Sequence, residues 1–209
     1  RPFLLGFGWP HQQSGEIKNF LQSFASLSPQ MADRRRPRMI LNILGAGFLV
    51  LCIFAAMLDI NRLTIPNWLN LSIVGLFIPA AAVSGLPMEM LGGHLMVAAL
   101  AFLIAFGLFA FNIVGGGDAK MIPAVMLWLG PDAGIPFIFH MALAGGACAL
   151  LILLVRRIMP AAAVPGIVRA PFEENAGVPY GVAIAAGAIL AALASPLLSD
   201  LLNQLGALS

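Results

Sequence analysis

Apolar residues run along this chain in blocks, and the polar breaks between the blocks set its elements. Three blocks, Met39 to Leu58, Trp68 to Leu86 and Leu95 to Val114, are each close to the ~20 residues that cross a bilayer as a helix. Asp59 is expected to end the first block, and the polar stretch Asp59 to Asn67 leads into the second. Trp68 stands where an aromatic belt would lie. The turn from Pro87-Met88-Glu89 through Gly92-Gly93 is short enough to make the second and third helices antiparallel neighbours. The fourth block, Met121 to Leu129, covers only about 14 Å as a helix, roughly half a bilayer core. Gly130-Pro131-Asp132-Ala133-Gly134 then breaks the chain, and further blocks follow from Ile135 to Val155 and from Tyr180 to Leu198. The pattern predicts an all-α polytopic membrane protein of about six transmembrane helices with a short fourth.

Composition agrees. Hydrophobic residues make up 60% of the 209 and charged residues 10%, with a mean hydropathy of +0.95, more than a soluble domain of this size could solvate. The net charge of +2 gives no reason to expect nucleic acid as a partner. The two cysteines, Cys52 and Cys148, fall inside apolar blocks with no CxxC or zinc spacing and read as small packing residues. Domain organisation follows as a polar and basic tail over residues 1–38, a membrane-embedded domain over 39–198 and a short tail over 199–209. The chain opens at Arg1 rather than Met, as a fragment or a processed form would. Its tail is expected to be poorly ordered, with a weak amphipathic helix at Ile17, Phe20, Leu21 and Phe24 and a basic collar at Arg34, Arg35, Arg36 and Arg38. The apolar run after the collar is too long for a signal peptide and remains as a span.

The candidate chemistry lies at two block ends. Gly115-Gly116-Gly117-Asp118-Ala119-Lys120 puts a carboxylate behind three glycines, which can take positive φ and let another chain approach closely. Asp59 ends an earlier block, and two spans separate it from Asp118, so both aspartates share a membrane side. Ionisable groups at membrane depth are costly and are functional candidates by default. Two carboxylates a few Å apart cannot both ionise, so one serves as base toward water while the other serves as acid. Other machinery is missing: His11, His94 and His140 have no HExxH spacing, there is no GxSxG, and GGGDAK lacks the form of a phosphate loop. His140, in mid-span, is expected to pack or to bond a neighbouring helix, and Gly145-Gly146 to allow close helix packing. No metal or cofactor is expected.

The short fourth block is read as crossing, because that gathers Arg62, Lys120, Arg156, Arg157 and Arg169 on the aspartate side. Against them stand Arg1, Lys18 and the collar, so the overall count does not decide orientation. The internal charges alone make the aspartate side cytoplasmic.

Asp59…Arg62…Ile65-Pro66-Asn67 and Gly115 to Lys120 resemble the two catalytic motifs of the type IV prepilin peptidases, which are GxGD-type intramembrane aspartic proteases. Val178-Pro179-Tyr180-Gly181-Val182-Ala183-Ile184-Ala185-Ala186-Gly187 resembles the segment opening their last helix. The resemblance implies catalytic roles for Asp59 and Asp118, a loop role for Gly115, Gly116, Gly117 and Lys120, and a supporting role for Arg62, Pro66, Asn67, Pro179, Tyr180 and Gly181. It implies cleavage of a prepilin leader at the cytoplasmic face of the bacterial inner membrane. The partners would be the substrate's leader and hydrophobic N-terminal helix, together with the bilayer. Without the CxxC-bearing insertion of bifunctional members, the chain looks like the short form associated with tight-adherence (Flp-type) pili, so N-methylation is not expected. Leaders in that family end in a basic stretch, which makes Glu173 and Glu174 candidates for docking it. Two other classes stay open. A small transporter or ion-translocating subunit would usually carry repeated halves, and none is visible; a non-catalytic membrane subunit of a pilus or secretion assembly has no need of both aspartates.

Overall fold

The computed structural model describes residues 13–158, 170–172 and 177–199, with side chains from Arg38 onward. Two compact units divide the chain, Arg1–Met39 and Ile40–Ser209. In the first, the backbone is helical from Gln13. The side chains of the predicted amphipathic stretch and of Arg34 to Arg36, like the whole of residues 1–12, lie outside the described residues.

In the second unit the described residues form helices and no strand. The helices are α1 (Gln13–Arg62, which begins in the first unit), α2 (Asn67–Ser84), α3 (Met88–Ala110), α4 (Gly116–Ile158) and α5 (Tyr180–Ala191). Four segments are long and apolar enough to cross a membrane, namely Arg38–Arg62, Asn67–Ser84, Met88–Ala110 and Gly116–Ile158, and Tyr180–Ala194 is a shorter apolar one. The last of the four is two limbs. Gly130, at φ 72 and ψ −176, is the non-helical residue inside α4. It splits the helix into limbs over 116–129 and 131–158, and α5 makes a sixth helical segment, as the apolar blocks predict.

Several boundaries differ from the sequence expectation. Asp59 does not end the first helix: its carbonyl still accepts from Leu63 N–H at 2.8 Å, and the helix stops where Leu63 turns left-handed at φ 50. A charge can mark the exit from the apolar layer while the backbone ladder continues. The third helix begins at Met88, with Pro87 before it and Glu89 in its first turn, where an acid suits the helix dipole. Gly92 and Gly93 are therefore helical rather than part of a turn. Its far end is a Schellman motif: Asn112 is left-handed at φ 57, Asn112 N–H donates to Phe109 O at 2.9 Å, and Ile113 N–H donates to Leu108 O at 2.9 Å. The span thus closes before Val114. Of the predicted break over 130–134, only Gly130 leaves the helix. At the end of the chain α5 gives way to a 3-10 turn at Ala192–Ala194 before reaching the predicted limit.

The 116–129 limb is the buried centre of this unit. Ala124 through Gly130 are all buried, and Trp128 stacks on Phe48 of α1 with centroids 4.8 Å apart and meets Phe77 of α2 edge-on. A helix wrapped by protein need not match the bilayer thickness, which accommodates a limb of only about 20 Å. The outer helices expose Ile43, Val50, Leu71, Ile78, Leu100 and Leu103, a surface suited to lipid.

The chain reverses at Gly130. Gly134 lies against Met126, Gly187 against Met141, and Gly145 against Tyr180 and Ala183. The 131–158 limb therefore returns toward the aspartates, antiparallel to α5, and carries Arg156 and Arg157 past that end. This is the path expected if the short segment crosses. The reversal leaves carbonyls to satisfy, because Pro131 has no N–H for Leu127. His94 Nδ1–H donates to Leu127 O at 2.8 Å, and Ser195 Oγ donates to Trp128 O at 3.1 Å. Away from water such partners are needed.

Candidate active site

The last turn of α1 and the first turn of α4 carry the two aspartates. Asp59 is buried at 5% exposure, and Asp118 is half-buried; Ile65 packs against both Gly117, next to Asp118, and Gly181, which contacts Asp59. Asp59 Oδ2 accepts from Gly181 N–H at 2.6 Å. The first residues of α5 therefore hold one catalytic candidate directly. A Cβ on Gly181 would lie 2.9 Å from both Asp59 Cβ and Oδ2, so the hydrogen bond requires glycine.

The loop between α1 and α2 closes the other side. Pro66 disfavours helical backbone at Ile65 and precedes α2 at φ −70 and ψ 147, so the chain runs extended past the glycine loop. A Cβ on Gly117 would meet Ile65 Cβ at 3.1 Å, its N at 3.2 Å and its O at 3.3 Å. What comes close to the glycine loop here is the chain's own Ile65 rather than another chain, and not through positive φ: among the described residues the left-handed glycines are Gly85 and Gly130. Gly116 packs on the Phe109 ring, and a Cβ on Gly115 would touch Asp118 Oδ2 at 3.1 Å. Two polar contacts tie α2 to α4 here. Lys120 Nζ donates to Asn67 Oδ1 at 2.8 Å, and Asn70 Nδ2 donates to Gly117 O at 3.4 Å.

The profile of the type IV leader peptidase family matches residues 46–150. The chain belongs to that family. The matched stretch holds Asp59 and Gly115 to Lys120 and stops before Gly181, so the contact between Asp59 and α5 comes from the structure. No curated protein and no solved structure matches the chain. The family makes this a membrane peptidase that acts on leader sequences.

Within this leader peptidase the predicted residues divide clearly. Asp59, Asp118, Gly115, Gly117 and Gly181 gather at one place, with Asn67 and Lys120 beside it. Pro179 is buried and leads into α5, while the ring of Tyr180 lies against Gly145. Arg62 is exposed at the end of α1, and its carbonyl accepts from Thr64 Oγ1 at 3.1 Å. Glu173, Glu174 and Arg169 lie outside the described residues. His140 bonds its own helix, at Pro136 O, rather than a neighbour. Gly145 packs closely as expected, whereas a Cβ on Gly146 would meet nothing within 4 Å. Among the described residues no group of three or more His, Cys, Asp or Glu could hold a metal ion.

Sequence reasoning missed Asn70, a lone amide inside an apolar block. It is buried at 6% exposure and bonds the glycine loop rather than facing outward. Its position at membrane depth was the available signal.

Proposed function

We propose that this leader peptidase is an intramembrane aspartic endopeptidase that removes leaders from type IV, Flp-like prepilins. The catalytic pair is Asp59 and Asp118, and the aspartate end faces the cytoplasm across the bacterial inner membrane. The observation that carries this reading is the packing of Ile65 against both Gly181, whose N–H holds the buried Asp59, and Gly117 of the loop that bears Asp118.

The pair works with one shared proton. The ionised carboxylate takes a proton from water as the water oxygen bonds to the scissile carbonyl carbon, and the protonated partner gives its proton to the carbonyl oxygen. The resulting tetrahedral diol collapses as one of its hydroxyls returns a proton to the partner carboxylate, the C–N bond breaks, and the proton taken from water passes to the leaving amine. Gly181 N–H holds one Asp59 oxygen so that its carboxyl keeps a fixed direction. No methyl transfer is assigned, and Glu173 and Glu174 remain candidates for meeting a basic leader.

Coexpression with a tagged Flp-type prepilin tests the reading. Asp59→Asn and Asp118→Asn are each expected to abolish the size shift of the prepilin while leaving the protein in the membrane. Near-normal processing by either variant rejects the dyad.

A further inference from the structure

Two apolar cavities lie between α2 and α3, one of about 600 Å³ and one of about 560 Å³. They share Val74, Leu95 and Leu127, so together they form one trough with the 116–129 limb as its floor. It runs from Asn67 and Lys120 at one end to Gly85, Leu86 and Met88 at the other. That is the whole length of α2, about 27 Å at the helical rise, close to the ~30 Å of a hydrocarbon core.

We propose that the membrane-spanning helix of the substrate lies in this trough, with its scissile segment leaving at the Asn67–Lys120 end toward Asp118. The inference rests on the leader-peptidase reading and adds the place where the substrate is held. Length favours a helix over lipid, because a single acyl chain reaches across only about half the core. The lining favours it too: Ala98, Ala99 and Ala124 are small, and small residues let helix backbones approach in a membrane. At the catalytic end the trough turns polar. Lys120 is two positions from Asp118, so their side chains point to different faces of the 116–129 limb, and a segment leaving the trough reaches Asp118 by passing over the start of that limb. Asn70 is buried there, donates through Nδ2 to Gly117 O, and leaves Oδ1 without a hydrogen-bond partner among the described residues. It is an acceptor at the point where a substrate backbone must uncoil to be cut.

Photo-crosslinking in the full-length membrane protein tests this. Benzoylphenylalanine is placed at Leu71 or Ala99 in the trough, and at Ile53 or Leu151 on exposed apolar faces elsewhere, in the Asp59→Asn background with a coexpressed Flp-type prepilin. Cleavage of the same prepilin by the unsubstituted protein is measured in parallel. The expected result is adducts with the prepilin helix from Leu71 and Ala99 at least tenfold above those from Ile53 and Leu151. Cleavage with adducts mainly at the control positions, or with trough adducts to phospholipid alone, overturns the trough and leaves the peptidase reading intact. No cleavage and no adduct anywhere overturns both. As a second measurement, Ala99→Phe fills the trough from an exposed position and is expected to raise KM for the prepilin about tenfold with little change in kcat. A change in neither, or in kcat alone, counts against the trough.

Discussion

Gly181 and Asp59 stand 122 positions apart, yet the Gly181 N–H donates to Asp59 Oδ2 at 2.6 Å. The first turn of a helix has N–H groups with no intrahelical acceptor, and α5 offers one of these to the carboxyl. Its absent side chain is what lets the α5 backbone come so close to the Asp59 side chain. The contact makes α5 part of the candidate catalytic apparatus.

Gly181→Ala should therefore impair turnover without touching either aspartate. The added carbon falls 2.9 Å from Asp59 Oδ2 and 3.0 Å from Ile65 Cδ1, so the carboxyl or the loop must move. A displacement of order 1 Å at reacting groups costs about 10²-fold in rate. Purified protein in detergent, assayed for kcat on a prepilin with its fold checked by circular dichroism, should give a loss of that order. Activity within twofold of the unsubstituted protein would remove Gly181 from the site.

Gly117→Val tests the loop from the opposite side. The nearest neighbours of its Cβ include Ile65 N and O, and backbone yields less readily than a side-chain tip. Overpacking of this kind costs about 1–3 kcal/mol, which the folded protein can absorb while the loop beside Asp118 shifts. Normal membrane levels together with loss of prepilin processing are expected. Gly117→Ala should fall between the two. Full processing by the valine variant would mean that the approach of Ile65 to the loop has no role in cleavage.

The sequence makes the helices legible because each is an apolar block long enough to cross a bilayer, and it makes Asp59 and Asp118 legible because carboxylates are rare at such depth. The ends of helices were harder to read. Asp59 looked like a stop because polarity changes there, whereas Leu63 is where the backbone turns. Gly92-Gly93 looked like a turn, but the helix carries both at a cost of about 1 kcal/mol each, and Pro131 lies against Gly93. What joins the site is a set of close approaches by glycine, Gly117 to the backbone of Ile65 and Gly181 to the side chain of Asp59. Such pairings across the chain leave no periodic trace; they show only as glycines, and many glycines have other uses. Asn70 belongs with them, since an amide that bonds a distant carbonyl looks in sequence like any polar interruption.

Metal removal gives a further check. Two carboxylates and water suffice for the proposed hydrolysis, so a chelator such as EDTA in excess should leave prepilin cleavage within about twofold of its starting rate. Loss of cleavage with chelator and recovery with zinc would assign the water activation to a metal and displace the carboxylate mechanism.

The last prediction concerns the reversal that returns α4 to the aspartates. Gly130 sits at φ 72 and ψ −176, a region essentially confined to glycine, where another residue costs about 1–3 kcal/mol. A Cβ there would also lie 2.6 Å from His94 Cε1 and 2.7 Å from its Nε2. The same imidazole donates to the Leu127 carbonyl that Pro131 leaves open, so His94→Ala removes a buried donor, at about 1–3 kcal/mol. Gly130→Ala and His94→Ala should each lower the unfolding midpoint in detergent, measured by differential scanning fluorimetry. The double variant should lose less than the sum, because without the imidazole the new methyl group has space, and only the backbone strain and the open carbonyl remain. Strict additivity would mean that the glycine and the histidine do not hold the reversal together. A double loss greater than the sum would mean the same, since relief of the clash between them can only make the double variant lose less.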